Sequence, residues 1–160
     1  MLAVLIGGWL FLTLTAPRVL RLEELSVGTC LHVPTSANGD PAAADQVGSQ
    51  AEVVRVAVDR GADTAPCDSS HSHEVAAVFT DAEPAGAALP GPTTLAQRHE
   101  AACEAALAAY VGHPIAGSAF ELTVVVQDEA GWTSGRRVGA CLVSRADGKY
   151  LTASARGSAR

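Results

Sequence analysis

The chain of 160 residues has room for one domain with a modest hydrophobic core, and a second folded domain is not expected. Aromatic residues make up only 4% of the chain, so the core must consist mainly of valine, leucine and alanine, and covalent cross-links would strengthen it. Residues 1–22 contain two basic and no acidic side chains, which leaves nine basic against seventeen acidic residues in 23–160, a net charge of −8. This acidic balance disfavours nucleic acid as a partner.

The chain begins with an uncharged apolar run at residues 2–16, which extends to residue 20 if Pro17 and Arg18 lie at a membrane interface. This length falls between the core of a signal peptide and a full membrane span. Signal-peptide cleavage is poorly encoded, so we expect an uncleaved membrane anchor and flank at 1–22, followed by one domain at 23–160. The alternatives are a buried core helix and, since basic residues follow the run, an orientation that places the domain in the cytoplasm.

Three runs rich in apolar residues predict β-strands at residues 54–58, 75–79 and 120–126. In the first and the third, apolar side chains recur at every second position, so we expect each strand to bury one face. Residues 34–50 and 81–92 are rich in alanine, glycine, proline and small polar residues, and they are interpreted as surface loops.

A helix is predicted from Thr93 to Val111. Thr94 and Gln97 form a capping-box pattern near its start, and Gly112 is a typical residue to end it. Its apolar stripe includes Cys103, which should therefore face the sheet.

A hairpin is predicted near the end of the chain, where residues 137–144 and 149–155 flank the turn signal Asp147-Gly148. These elements together predict an α+β fold with a small, mostly antiparallel sheet and one packed helix. The N-terminal transmembrane helix would precede this domain.

Four cysteines follow the apolar run, at Cys30, Cys67, Cys103 and Cys141. An even number of widely spaced cysteines after a membrane-targeting segment indicates two disulfides in an oxidising compartment, and the alternative is four buried free thiols. Of the three possible connectivities, we predict Cys30–Cys67 and Cys103–Cys141. The second bond would clamp the helix to the C-terminal hairpin, and the first would tie the leading strand to the loop that bears His71.

Four short motifs, each containing one cysteine, occur in a fixed order. They are Val27-Gly28-Thr29-Cys30-Leu31, then Cys67-x3-His71-x2-Glu74-Val75, then Cys103 to Tyr110-Val111-Gly112, and Trp132-x2-Gly135-x-Arg137-x3-Cys141-Leu142. Together they resemble the septum-formation domain family of actinobacterial envelope proteins, over about residues 26–157. The resemblance implies a membrane-anchored extracytoplasmic domain that is associated with septum formation during cell division and has no established catalytic activity.

His71, His73 and Glu74 carry side chains suited to a metal or acid–base site, because imidazole and carboxylate together bind zinc. A zinc hydrolase also needs a third ligand and groups that orient the ligands, and no other histidine lies in a ligand motif. We therefore expect neither a metal nor a catalytic residue here. The alternative is a metal-dependent hydrolase that acts on cell-wall material through these three residues.

The expected role of this region is a structural polar network of His71, Glu74, Trp132 and Arg137. Glu74 at the start of an apolar strand needs a positive partner, and the planar guanidinium of Arg137 can bind a carboxylate with two bonds, with Trp132 as a shield. A third class of function, a wall-binding module, would need an exposed aromatic platform around Trp132.

The sequence as a whole predicts a non-enzymatic envelope or cell-division module. It would be attached to the cell membrane by its N-terminal helix, with the domain on the extracytoplasmic side. We expect it to use no cofactor and to bind another envelope or division protein.

Overall fold

The computed structural model describes residues 19–33, 45–47, 54–58 and 62–158. A 3₁₀ turn at Leu22–Glu24 accompanies ten helices and strands, which are, in chain order, β1 (Val19–Leu20), β2 (Cys30–His32), β3 (Asp45–Val47), β4 (Val54–Val58), β5 (Ala62–Ala65), β6 (His73–Thr80), α1 (Pro92–Val111), β7 (Phe120–Val126), α2 (Glu129–Thr133) and β8 (Val138–Arg145). The predicted strands at 54–58, 75–79 and 120–126 and the predicted helix are therefore confirmed.

The eight strands form one sheet in the order β1-β5-β2-β6-β8-β7-β4-β3. Neighbouring strands run antiparallel, except that β4 and β7 are parallel. Parallel neighbours need a long crossover connection, and α1 lies within it, packed on β4, β6, β7 and β8. The predicted α+β class, with one main helix on a mostly antiparallel sheet, is confirmed.

The central strands β7 and β8 are buried on both faces, so the prediction of a single buried face was wrong for residues 120–126. Alternate side chains pack beneath α1, and the intervening ones form a second core on the opposite face of the sheet. The second core contains Leu22, Leu31, Ala62, Val75, Val125, Ala140 and Leu142. The central strands of the sheet are therefore covered on both faces, whereas the sequence predicted strands with one buried face.

The N-terminal part of the described chain helps to cover this second face. Strand β1 pairs with β5, and the side chain of Leu22 is only 2% exposed. Glu23 accepts a hydrogen bond from Gln127 at 3.0 Å and forms an ion pair with Arg136 at 3.0 Å. Residues 19–23 of the described chain therefore contact the sheet and the segment after β7.

The predicted membrane anchor at residues 1–20 lies outside the described residues, apart from the two residues of β1. Within the ranges that the structure describes, no helix combines the length and the apolar character needed to cross a membrane. The anchor stays a prediction.

Helix α1 begins differently from its prediction. Gly91 is the residue before its first turn, no side chain caps it, and Pro92 occupies the first position, where a missing N–H costs nothing. The predicted capping box of Thr94 and Gln97 is therefore wrong. The predicted end at Gly112 is confirmed, since this glycine adopts a left-handed conformation with φ of +94°.

The C-terminal hairpin does not form, because β8 already has β6 and β7 on its two edges. The chain turns at Asp147-Gly148 as predicted, with the N–H of Gly148 donating to the carbonyl of Arg145 at 3.1 Å. It then crosses to Leu151, which exchanges two backbone hydrogen bonds with His71, at 2.8 and 3.0 Å. This path brings residues 151–155 to the N-terminal end of β6.

Two of the regions between the predicted elements contain strands that the sequence did not indicate. Residues 45–47 form β3 against β4, so the loop prediction for 34–50 was wrong there. Residues 62–65 form β5 between β1 and β2. Residues 81–91 contain neither helix nor strand, as predicted.

Both predicted disulfides are present. Cys30 in β2 is bonded to Cys67 in the turn that follows β5, and Cys103 in α1 is bonded to Cys141 in β8. The first bond joins β2 to the connection that leads to β6. The second fixes the helix to the centre of the sheet, as the predicted orientation of Cys103 requires.

Candidate functional site

His71 and Glu74 meet in the interior, and neither side chain is exposed to solvent. His71 precedes β6 and is held by its backbone pairing with Leu151, whereas Glu74 lies in β6 between β2 and β8. Nε2 of His71 lies 3.0 Å from Oε1 of Glu74. These two members of the predicted polar network are therefore in contact.

Three further groups donate hydrogen bonds to the carboxylate of Glu74. The backbone N–H of Ala155 donates to Oε1 at 2.8 Å, while the hydroxyls of Tyr110 and Ser154 donate to Oε2 at 2.9 and 3.0 Å. The donors come from α1 and from the C-terminal segment. One carboxylate thus ties β6, the helix and the end of the chain together, and hydrogen bonds to a charged acceptor are the stronger kind.

The positions of the hydrogens on the ring of His71 follow from the atoms that face its two nitrogens. Nδ1 of His71 lies 2.7 Å from the carbonyl oxygen of Ser69, which can only accept, so Nδ1 carries a hydrogen. The contact between Nε2 and Oε1 is then a hydrogen bond only if one proton lies between them. His71 and Glu74 therefore share a buried proton.

Of the three side chains of the alternative metal site, His71 and Glu74 converge and His73 does not join them. Among the described residues, the group with ligand atoms within 4.8 Å of one another is Cys30, His71 and Glu74, and His73 is not part of it. The Nδ1 atom of His73 instead lies 2.9 Å from the hydroxyl of Ser72. The sulfur of Cys30 is committed to its disulfide, so in this state it offers no thiolate to a metal.

The sequence did not indicate Tyr110 or Ser154 as members of this network. A buried tyrosine needs a partner for its hydroxyl, and this rule is the signal that could have found Tyr110. Burial raises the pKa of Tyr110 to about 12, with a further contribution from the carboxylate of Glu74 that accepts its hydrogen bond.

This raised pKa predicts an alkaline loss of stability. The neutral phenol is favoured by folding, so its contribution is complete below pH 10 and is lost as the pH rises from about 10 to about 12. We expect the free energy of unfolding, measured by denaturant titration, to fall across this range in the wild type. Tyr110→Phe should be less stable at pH 8 and should lack this part of the fall, whereas equal slopes for both proteins would contradict the assignment.

Arg137 does not bind Glu74, and that predicted pair is wrong. Its guanidinium donates instead to carbonyl oxygens, those of Glu83, Pro84, Trp132 and Arg136, at 2.8–3.1 Å. Thr80 at the far end of β6 pairs with Val138, the residue after Arg137, so the register of the sheet places the arginine level with Asp81, seven residues along the chain from Glu74. This separation is about 20 Å.

Trp132 and Arg137 nevertheless lie together, as the network prediction required of these two residues. The guanidinium carbon lies 3.8 Å from the centre of the indole ring, a cation–π contact. The indole N–H donates to the carbonyl of Ala87 at 2.7 Å, and the ring is only 3% exposed. Trp132 is therefore not the exposed aromatic platform that a wall-binding module would need.

Replacement of Arg137 by lysine is expected to destabilise the domain by about 2 kcal/mol. An ammonium group cannot reach several carbonyls in one plane while it stacks on an indole ring. The effect is measured by chemical denaturation against Arg98→Lys, whose side chain is 40% exposed and should change stability by less than about 0.5 kcal/mol. Equal effects of the two substitutions would show that the carbonyl contacts contribute little.

A second acid–base pair, also missed in the sequence, joins the loop after β6 to α1. Nε2 of His99 lies 3.1 Å from Oδ2 of Asp81, and Arg98 lies 3.7 Å from the same carboxyl group. Burial alone would raise the pKa of Asp81, but the backbone N–H of Glu83 and the side chains of His99 and Arg98 outweigh it and lower that pKa. The negative charge of Asp81 is thus compensated within the fold.

The cavities that described residues line include two near the main core. One, of about 10 Å³, lies beside Asp81, His99 and Trp132, and the other, of about 110 Å³, lies beside Phe120 and Ser154. Neither is lined by His71, His73 or Glu74. The candidate site is therefore a closed internal network and not a cleft.

Comparison with known proteins identifies the family. The family model described as "Septum formation" matches residues 49–160, which include three of the four cysteine motifs. No curated protein and no solved structure matches the chain. The resemblance noted in the sequence is confirmed, although the match does not extend to the first motif at residues 27–31. Because the match covers more than two thirds of the 160 residues, the chain belongs to the septum-formation family.

Proposed function

We propose that this protein is a non-enzymatic module of cell division, held on the outer face of the cell membrane by the apolar run at residues 2–16. In this role it binds another envelope component during septum formation. Membership of the septum-formation family supports the process. The apolar run at residues 2–16 supports the attachment.

The two disulfides support the extracytoplasmic placement. Disulfides persist in oxidising compartments and are rare where thioredoxin and glutathione keep thiols reduced. All four cysteines are paired, and the bond from Cys103 to Cys141 lies within the main core. This pairing favours the outer face over the cytoplasmic one that the basic residues at the end of the apolar run would indicate.

The observation that carries the non-enzymatic role is the closed network of Glu74. Its two oxygens accept four hydrogen bonds from the protein, and the side chain has no exposed surface. A general base must reach the proton that it removes from a substrate, and a metal site needs free ligand atoms. The His71 and Glu74 side chains that a metal-dependent hydrolase would use are therefore out of reach of a substrate.

Crosslinking in dividing cells tests the proposed binding. A photoreactive amino acid is placed in turn at Val27, Val78 and Tyr150, the large hydrophobic side chains that are most exposed among the described residues. We expect a discrete adduct with another envelope protein from at least one position, and none from a control at the exposed residue Glu129.

Assays of the purified protein test the enzymatic alternative. The purified protein should retain no zinc and should leave cell-wall fragments intact. Stoichiometric zinc that is lost from folded His71→Ala or His73→Ala protein, together with hydrolysis of wall fragments, would contradict the proposal. The absence of every crosslink in cells that contain the folded protein would contradict its binding role.

A further inference from the structure

The two disulfides differ in how far solvent reaches them. Cys103 and Cys141 are both buried in the main core, 0% and 2% exposed. Cys30 is likewise 2% exposed, but Cys67 is partly exposed and lies in a turn whose neighbours, from Pro66 to Ser70, are exposed. The bond between Cys30 and Cys67 therefore lies nearer to solvent, on its Cys67 side, than the bond between Cys103 and Cys141.

The buried sulfur of this bond lies beside the proton shared by His71 and Glu74. A ring nitrogen of His71 and a carboxylate oxygen of Glu74 each lie within 4.8 Å of Sγ of Cys30. The carbonyl oxygen of Gly28 lies 3.8 Å from the same sulfur and 3.5 Å from Sγ of Cys67, so it can accept a hydrogen bond from either thiol after reduction. A sulfur that leaves as a thiolate at Cys30 would find a proton source and, next to an imidazole, a stabilising environment.

We propose that the bond between Cys30 and Cys67 is a thiol–disulfide exchange centre, in which Cys67 is the attacked sulfur and Cys30 the leaving one. The co-reactant is an external dithiol. Its first thiolate attacks Sγ of Cys67, a mixed disulfide forms, and Sγ of Cys30 departs with the bonding electron pair. The proton between His71 and Glu74 passes to this thiolate.

The second step of the exchange accounts for the remaining electrons and protons. The second thiol of the dithiol, deprotonated, attacks its own partner sulfur in the mixed disulfide and releases Cys67 as a thiolate, which takes up a proton. The dithiol is oxidised to its disulfide, the protein gains two electrons and two protons on its sulfurs, and the His71–Glu74 pair recovers its proton from solvent. The bond between Cys103 and Cys141 holds the core throughout.

Native-state reduction tests the accessibility argument. The full chain is treated with dithiothreitol without denaturant, thiols are alkylated at intervals, and each cysteine is followed by mass spectrometry. We expect Cys30–Cys67 to be reduced at least tenfold faster than Cys103–Cys141, with the circular dichroism unchanged. A monothiol, 2-mercaptoethanol, should form its adduct on Cys67. Reduction of both bonds together, or an adduct on Cys30, would overturn the proposal.

The variant His71→Gln tests the role of the shared proton, with His99→Gln as the matched control. If His71 only positioned the loop, its loss would loosen the turn and speed the reduction of Cys30–Cys67. We expect the opposite, a roughly tenfold slower reduction, and no change in the control. Faster or unchanged reduction in folded His71→Gln protein would overturn the role of His71. If that variant does not fold, the site of the monothiol adduct in the wild type decides the proposal.

Discussion

Replacement of both Cys103 and Cys141 by alanine is expected to lower the free energy of unfolding by about 4 kcal/mol. The bond closes a loop with a sequence separation of 38 residues, for which the chain-entropy model gives about this value. Both sulfurs also lie in the main core, between α1 and β8, so their loss leaves space that the surrounding alanine and valine side chains do not fill. Against a typical stability of about 5–15 kcal/mol, such a loss leaves the domain marginal.

Denaturant unfolding without reductant measures this effect. The paired control is Cys30→Ala with Cys67→Ala, which opens a loop of nearly the same size, with a separation of 37 residues. Since Cys67 is partly exposed, this control should lose no more stability than the core pair. A loss below about 1 kcal/mol for the core pair, or a larger loss for the control, would show that the bond between helix and sheet does not stabilise the core. Removal of all four cysteines should unfold the domain.

Glu74→Gln is expected to cost about 3 kcal/mol, although the two side chains have nearly the same shape. The amide has no charge to pair with His71, and its NH₂ group cannot accept the hydrogen bonds that a carboxylate oxygen receives from Tyr110, Ser154 or Ala155. Removal of one member of a buried charged network leaves the others without compensation.

The control for this substitution is Glu129→Gln, the same chemical change at an exposed position. It should change the free energy of unfolding by less than about 0.5 kcal/mol. The midpoint of chemical denaturation for the two variants gives the comparison. Similar small effects would mean that the network around Glu74 is not a major source of stability.

The elements that depend on local pattern were predicted from the sequence. The alternating apolar residues of β7 and the helix that ends at Gly112 are examples. The prediction of a hairpin around Asp147 was wrong for a reason that is not local. Its turn forms, but β8 is central in the sheet and has no free edge, and this depends on where β6 and β7 lie.

The candidate site shows the same limit. The need of a buried carboxylate for partners is general, but the contact of His71 with Glu74 does not follow from their spacing, because residues three apart on an extended chain point to opposite faces. The choice of partner depends on sheet register, which sets Arg137 at the opposite end of β6 and brings Tyr110 and Ser154 to the carboxylate instead. Residues remote in sequence therefore complete the network, and a single sequence does not specify which of them arrive.

The orientation of the domain is the claim on which the proposed function depends most, and one side chain reports it. Lys149 is the only lysine of the chain, and its side chain is 78% exposed. A membrane-impermeant amine-reactive biotin reagent is applied to intact spheroplasts, and the label is located by mass spectrometry, with Lys149→Arg as the control. We predict that Lys149 is labelled in intact spheroplasts to the same extent as after lysis. Labelling of Lys149 only after the membrane is lysed would contradict the extracytoplasmic placement.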